Sequence, residues 1–252
     1  MKYLFTIITL IFTLNVFGQQ TVKIKKQKIY EWGTPYPKHK EIFYVLRTDN
    51  SIKQGSYKLK AGKRNIIEGW YDNNLKDSIW IFRPMPRYTD FIYAQGYYKE
   101  NKKTGIWNFS NEDGLEQQYD YSNDSLIFTV FEITDTVIPV LTDTGFVLRK
   151  VDMPPIFKEG ESAKKRYMSS ANHYFGYNLP KDIWIRATVQ FEIDENGMTH
   201  NHKIIKGDFP EYNENALKVV KAIPNDWIPA KINGKKVYSI WTISLQNRYI
   251  MR

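Results

Sequence analysis

The sequence predicts an α+β protein with an N-terminal antiparallel β-hairpin repeat region and a smaller C-terminal domain. We expect that domain to be a three-stranded antiparallel sheet with two helices. Residues 95–109 repeat 68–82 at an offset of 27. Apolar and polar residues alternate over 183–193, the pattern of a strand with one buried face. Residues 160–175 and 212–223 have apolar residues at helical spacing.

The repeat predicts a β-hairpin array, because each copy reads as a strand, a polar turn and a second strand. The matched residues are Gly69 and Gly96, Tyr71 and Tyr98, Ile79 and Ile106, Trp80 and Trp107, and Phe82 and Phe109. A partial earlier copy retains Gly55 and Tyr57. Over about residues 40–125 the pattern resembles MORN-like repeats, and we assign 19–135 to this region. The aromatic residues are expected to fill a core between hairpins, and the alternative is a face that binds lipid or protein.

The first residues predict export. Lys2 precedes an apolar run over 3–17, which is shorter than the roughly 20 residues that cross a bilayer. Small or tolerated residues follow before Gln19, so residues 1–18 are interpreted as a cleaved signal peptide. The alternative is an uncleaved membrane anchor.

Composition excludes several classes of function. The chain has no cysteine, which removes disulfides, thiol catalysis, cysteine zinc sites and a lipoprotein anchor. Its net charge is +9, but the basic residues are dispersed, whereas nucleic-acid binding requires a focused basic stripe. We expect a solvated basic surface, with contact to an anionic membrane surface as an alternative.

No catalytic motif is present. The chain lacks a nucleophile elbow, a phosphate-binding loop and a dinucleotide-binding glycine pattern. His200 and His202 would share one face of a regular strand and could bind a metal weakly, but no acidic residue is suitably spaced beside them. The sequence therefore indicates a protein without catalytic residues, metal or cofactor.

The C-terminal region carries a second resemblance. The segments "PPIFKEGESA", "FEIDENGMTHNHKIIKG" and "YNENALKVVKAIPNDWIPAKINGKKV" are together similar to the C-terminal domain of TonB proteins, of the Bacteroidetes type, over residues 154–252. The resemblance implies a periplasmic domain that binds an extended segment of a protein, such as an outer-membrane receptor. That segment would add as a strand to the edge of the last strand. The implied binding residues are Val237, Tyr238, Ser239, Ile240, Trp241, Thr242 and Ile243.

The corner before the last strand is interpreted as structural. We expect Trp227 to pack under the sheet and Pro229 to stiffen the approach to the strand. Asn233 and Gly234 tolerate the positive φ of a tight turn.

Three differences separate the chain from a TonB energy transducer. It has no Pro-rich spacer, its leader is interpreted as cleavable, and repeat hairpins stand where the spacer would be. Separately, residues 136–153 are interpreted as a linker or edge strands before a domain boundary near 153–155. We therefore expect a periplasmic protein-binding protein. The alternatives are a membrane-anchored transducer and a MORN-like protein that binds through its repeats. A homodimer through open sheet edges is a further expectation.

Overall fold

The computed structural model describes residues 21–28, 39–85, 90–134, 136–171 and 183–249. The predicted signal peptide at residues 1–18 lies outside these ranges. So does the connection over residues 172–182, which includes the end of the helical pattern predicted over 160–175.

An antiparallel sheet of nine strands forms the N-terminal part of the protein, with its strands in sequence order. The strands are β1 (Thr21–Lys28), β2 (His39–Leu46), β3 (Lys53–Ala61), β4 (Arg64–Asp72), β5 (Leu75–Phe82), β6 (Ala94–Lys99), β7 (Lys102–Asn111), β8 (Gly114–Asp120) and β9 (Ser125–Thr129). One face carries an aromatic core, in which Trp80 and Trp107 are each 1% exposed.

The repeated glycines accommodate the repeated tryptophans. A Cβ atom added at Gly69 would lie 2.2 Å from the indole ring of Trp80. The ring therefore packs flat on the bare backbone, and its N–H donates to the carbonyl of Trp70 at 3.1 Å. Gly96 and Trp107 repeat this packing, with 2.3 Å between the added Cβ and the ring. The glycine and the tryptophan are thus one structural unit on neighbouring strands.

Two-residue turns join the strands within each copy. Asn73 and Asn74 have φ of 48° and 67°, and Glu100 and Asn101 have φ of 50° and 66°. Positive φ at both central residues defines the turn whose twist matches an antiparallel hairpin. The side-chain oxygen of Asn101 also accepts the backbone N–H of Lys76 at 2.6 Å, which ties this turn to the preceding hairpin.

A five-stranded antiparallel sheet and two helices form the C-terminal part. The sheet order is β11 (Gly145–Val151), β10 (Thr136–Thr142), β18 (Ser239–Tyr249), β13 (Ile183–Ile193) and β14 (Thr199–Gly207). Two short ladders pair β12 (Ile156–Phe157) with β15 (Trp227–Ile228), and β16 (Ala230–Ile232) with β17 (Lys235–Val237). The helices are α1 (Gly160–Ala171) and α2 (Pro210–Lys221). Neither helix in the described part of the chain is long and apolar enough to cross a membrane.

The predicted α+β class, with a small three-stranded TonB-like domain, is wrong. The protein is mostly β, with sheets of nine and five strands and only two helices in the described ranges. The additional strands β10 and β11 come from residues 136–153. Ile138 and Val140 of β10 are buried with Val151 and Ala230, so this hairpin has a small apolar core of its own against the C-terminal part.

Trp227 lies at the centre of the C-terminal core. It is 2% exposed, and its ring centroid is 5.5 Å from that of Phe157 and 5.6 Å from that of Phe191. The chain turns closely here, since a Cβ added at Gly197 would lie 2.0 Å from the carbonyl oxygen of Trp227.

Gly96→Ala should lower the free energy of unfolding by about 1–3 kcal/mol, because the new methyl group overpacks against the ring of Trp107. Urea denaturation measures the change. In a Trp107→Leu background the same substitution should cost much less, since the ring that it meets is gone. Equal costs in the two backgrounds would show that the glycine does not serve the tryptophan.

Trp227→Ala should lower the free energy of unfolding by about 3–5 kcal/mol, the usual penalty for emptying a large core site. Thermal and urea denaturation of the whole chain test this. Trp184, which is 50% exposed on β13, provides the matched control, and Trp184→Ala should change stability far less. A Trp227→Ala protein of unchanged stability would contradict the packing role.

Candidate functional site at the free edge of β18

The two edges of β18 differ in how they are paired. On one side it pairs with β13 along its whole length, from Ser239 opposite Ile193 to Tyr249 opposite Ile183. On the other side, its ladder with β10 contains a single pair, Val140 with Ser239. Beyond Ser239, no strand in the described ranges pairs with this outer side.

The backbone groups of β18 point alternately to the two sides. The N–H of Leu141 donates to the carbonyl of Tyr238 at 2.9 Å. The backbone groups of Tyr238 therefore point toward β10, and those of the even-numbered residues of β18 point to the same side. Backbone groups alternate along an antiparallel strand. The N–H and C=O groups of Thr242, Ser244 and Gln246 therefore point out of the sheet at the free edge.

A groove runs along this free edge. A cavity of about 360 Å³ opens beside residues 241–244, and a hollow of about 340 Å³ continues beside 244–247. Both are lined by Lys165 and Met168 of α1 and by Ser244. The two hollows therefore adjoin each other between the edge of the sheet and one face of the helix.

Apolar side chains line the first part of the groove, with charges at its rim. Trp241, Ile243 and Met168 lie on the side of the C-terminal core, and Phe131 from the end of the nine-stranded sheet is 46% exposed. Glu161 and Lys164 of α1 form an ion pair at the rim. An extended chain could place apolar side chains in this groove while its backbone pairs with β18.

Two buried polar residues of β8 hold α1 beside the groove. The carboxylate of Glu116, which is 5% exposed, accepts the N–H of Ser162 in the first turn of α1 at 2.9 Å. The side-chain amide of Gln117 donates to the carbonyls of Phe157 and Lys158 at 2.8 and 2.7 Å. The bond to Glu116 satisfies one of the N–H groups that the start of a helix leaves free, and the bonds from Gln117 hold the segment that leads into it. They also make the nine-stranded sheet one wall of the groove.

A partly buried charged cluster holds the two parts of the protein together. Lys103 of β7 forms ion pairs with Glu159 and Asp226 of the C-terminal part. The hydroxyl of Tyr121 donates to Asp226 at 2.8 Å. Burial, followed by the nearby Asp226 and Glu159, raises the pKa of Tyr121, so its hydroxyl remains a donor.

A second charged cluster lies closer to the surface. Asp124 accepts hydrogen bonds from Lys236, Lys158 and the hydroxyl of Tyr119. The bond from Lys236 is the main reason why the pKa of Asp124 lies well below its usual value. This carboxylate in the nine-stranded sheet thus holds two cations of the C-terminal part.

The structure divides the implied binding residues into two groups. Val237 pairs with Ala230 in the β16–β17 ladder, and Tyr238 and Ser239 contact β10, so the protein's own strands occupy these three positions. The part of β18 without a β10 pair begins after them and carries Ile240, Trp241, Thr242 and Ile243. Of these, Trp241 and Ile243 turn their backbone groups to β13, and Thr242 turns them to the free edge. Sequence reasoning missed its extension to Asn247 and the walls formed by α1 and Phe131.

The residues of the preceding corner form a compact connection. Pro229 is buried between β15 and β16. Asn233 and Gly234 have φ of 51° and 75° and form the turn of the β16–β17 hairpin. Only two residues separate Lys236 of this hairpin from the start of β18. The position of the β16–β17 hairpin therefore determines where β18 begins.

The two histidines of β14 do not share a face. Asn201 has a φ of 50° beside a register shift between β13 and β14, and this interrupts the alternation of side chains. His202 stacks on the core residue Phe191 at 5.2 Å, and burial lowers its pKa. His200 instead contacts Asp194 at 2.9 Å. The described residues contain no group of three or more side chains that could hold a metal ion.

No protein-family model, curated protein or solved structure matches this chain. The MORN-type and TonB-type resemblances therefore stay predictions.

Acidification should weaken the docking of the two parts through Asp124. A carboxyl group with a lowered pKa stabilises the folded state above its unfolded pKa of about 3.9, and this contribution is lost as pH falls through the folded value. The difference in unfolding free energy between the native protein and Asp124→Asn should thus be largest above about pH 4 and shrink below it. Urea denaturation at several pH values measures it.

Asp113→Asn is the control, because Asp113 is exposed in a turn of the same sheet. Its stability difference from the native protein should change little over this pH range. The same pH dependence in both variants would contradict the role of Asp124.

Proposed function

We propose that the chain is an exported binding protein whose C-terminal part takes up an extended segment of a partner protein as an added strand. The segment would pair with β18 beyond Ser239 and lie in the groove against α1. The main support is that β18 pairs with β13 along its whole length but with β10 at Ser239 alone. The predicted leader at residues 1–18 would place this binding outside the cytoplasm.

The groove and the edge suit one ligand shape. A free edge supplies backbone donors and acceptors at Thr242, Ser244 and Gln246, which an extended peptide can pair without regard to its sequence. The apolar lining beside Trp241 and Ile243 would select alternate side chains of that segment. By the TonB-type resemblance, the segment would belong to an outer-membrane receptor.

Ser244→Pro should strongly weaken binding while leaving the fold intact. The N–H of Ser244 faces the free edge, so proline removes a group that the partner needs and none that pairs with β13. The control is Ser244→Ala, because both substitutions lose the 3.0 Å contact between the hydroxyls of Ser244 and Thr188 and only proline loses the N–H. Thermal denaturation should show both variants folded.

Binding is measured by in-cell photo-crosslinking from position 240, followed by mapping of the captured segment. A synthetic peptide of that segment should bind Ser244→Ala like the native protein and Ser244→Pro roughly tenfold more weakly or worse, as expected for lost ladder hydrogen bonds. Methylating the peptide nitrogens that face β18 should have the same effect. Equal binding by the proline and alanine variants would contradict strand addition.

A further inference from the structure

Three lysines of the nine-stranded sheet lie over aromatic rings in equivalent places. Each ammonium lies over a ring four residues later in its own strand and over a tyrosine in the next strand or directly after it. The sets are Lys53 with Tyr57 and Tyr71, Lys76 with Trp80 and Tyr98, and Lys103 with Trp107 and Tyr121. The ammonium of Lys76 lies 4.8 Å from the ring centroid of Trp80 and 5.0 Å from that of Tyr98. The ammonium of Lys103 lies 5.4 Å from the ring centroid of Trp107 and 4.9 Å from that of Tyr121.

The Lys103 position shows what this arrangement binds. Its ammonium forms ion pairs with Glu159 and Asp226, at 3.4 Å from Asp226. The hydroxyl of Tyr121 donates to the same Asp226 carboxylate. One ammonium and one tyrosine hydroxyl over an indole face thus form a carboxylate site, which a different segment of the chain fills.

The Lys76 position has the same groups without the carboxylate. Lys76 is partly exposed, and no ion pair joins it to any acidic residue in the described ranges. The hydroxyl of Tyr98 likewise has no hydrogen-bond partner among the described residues. Burial, together with Glu159, raises the pKa of Tyr98 to about 12, so its hydroxyl is protonated and able to donate.

An ammonium that is partly buried without a counter-charge is unfavourable, and an incoming carboxylate would relieve this. Burial and the neighbouring Lys103 lower the pKa of Lys76. The turn residue Asn101 accepts the backbone N–H of Lys76, which fixes the backbone at the start of β5. The ammonium itself lies against the rings of Trp80 and Tyr98 without a ligand, and this placement reduces the entropy lost on binding.

We propose that Lys76 and Tyr98, over the ring of Trp80, bind the carboxylate of an acidic side chain from a partner protein. The occupant is an acidic peptide because the equivalent position of this chain is filled by the glutamate and aspartate side chains of a polypeptide. The site lies on the repeat sheet and does not depend on strand binding at β18.

The test uses the full chain with an acetylated and amidated peptide of repeated Gly-Glu-Ser, and with the same peptide in which glutamine replaces glutamate. The ¹³C signals of dimethylated lysines, assigned by substitution, follow Lys76 during titration. The glutamate peptide should shift the Lys76 signal and raise its pKa, and the glutamine peptide should do neither. Equal shifts with both peptides, or none at millimolar peptide, would overturn the proposal.

Two variants separate the site from general charge. Lys76→Met keeps the apolar stem over Trp80, and it should weaken binding of the glutamate peptide about fivefold or more, the effect of one charge-assisted hydrogen bond. Tyr98→Phe should weaken it less. The control Lys102→Met removes an exposed charge next to Lys103, and it should leave binding unchanged. Equal weakening by Lys76→Met and Lys102→Met would overturn the site.

A membrane phosphate is the competing occupant. Vesicles of phosphatidylglycerol test it, with vesicles of phosphatidylcholine as the uncharged comparison. Binding to phosphatidylglycerol that Lys76→Met removes, with no response to the glutamate peptide, would replace the peptide ligand by a lipid surface.

Discussion

The structure depends on the ion pairs that Lys103 makes with Glu159 and Asp226. Lys103 belongs to the repeat sheet, whereas the two carboxylates flank the β12–β15 ladder of the C-terminal part. All three side chains are at most 24% exposed, so the contact is poorly screened by solvent. Removing one partner would leave an uncompensated charge, which is strongly unfavourable. This contact fixes α1 and β15 relative to the sheet and, with them, the groove beside β18.

The same contact relates the two proposed binding sites. The repeats build a lysine and a tyrosine over an aromatic ring more than once, and the C-terminal part occupies one of these positions from within the chain. Lys76 is left for an external ligand. The groove arises from the same docking, because Glu116 and Gln117 at the end of the repeat sheet hold the start of α1. The repeat sheet therefore contributes to the proposed groove beside β18 and also carries the proposed site at Lys76.

Local patterns contained much of this organisation. The glycine and the tryptophan recur at a fixed spacing in the repeat, and in the structure Gly69 and Trp80 pack together. The indole ring needs a backbone without a side chain beneath it, which explains why the two residues repeat as a pair. The alternation over 183–193 corresponds to a strand whose Ile185, Val189 and Ile193 are fully buried. These patterns are local, so sequence alone can carry them.

Other features depend on contacts between distant segments. The sequence leaves Ile138 and Val140 in a linker or in edge strands, since nothing near them in sequence indicates that β10 meets β18 some 100 residues later. Because β10 pairs with Ser239, the free edge of β18 begins after Ser239 and lies closer to the C-terminus than the sequence predicts. The prediction that His200 and His202 share one face is wrong for a similar reason. It assumes that side chains alternate regularly along β14, and the positive φ of Asn201 interrupts that alternation. The groove walls also come from three separate segments.

Amide hydrogen exchange along β18, followed by NMR in the protein without a partner, tests the free edge most directly. The N–H groups of Trp241, Ile243 and Leu245 pair with β13 and should exchange slowly. Those of Thr242, Ser244 and Gln246 face the groove and should exchange much faster, which gives a strict alternation of fast and slow amides. Equal protection of both sets would mean that the outer edge is already paired, and would contradict the account.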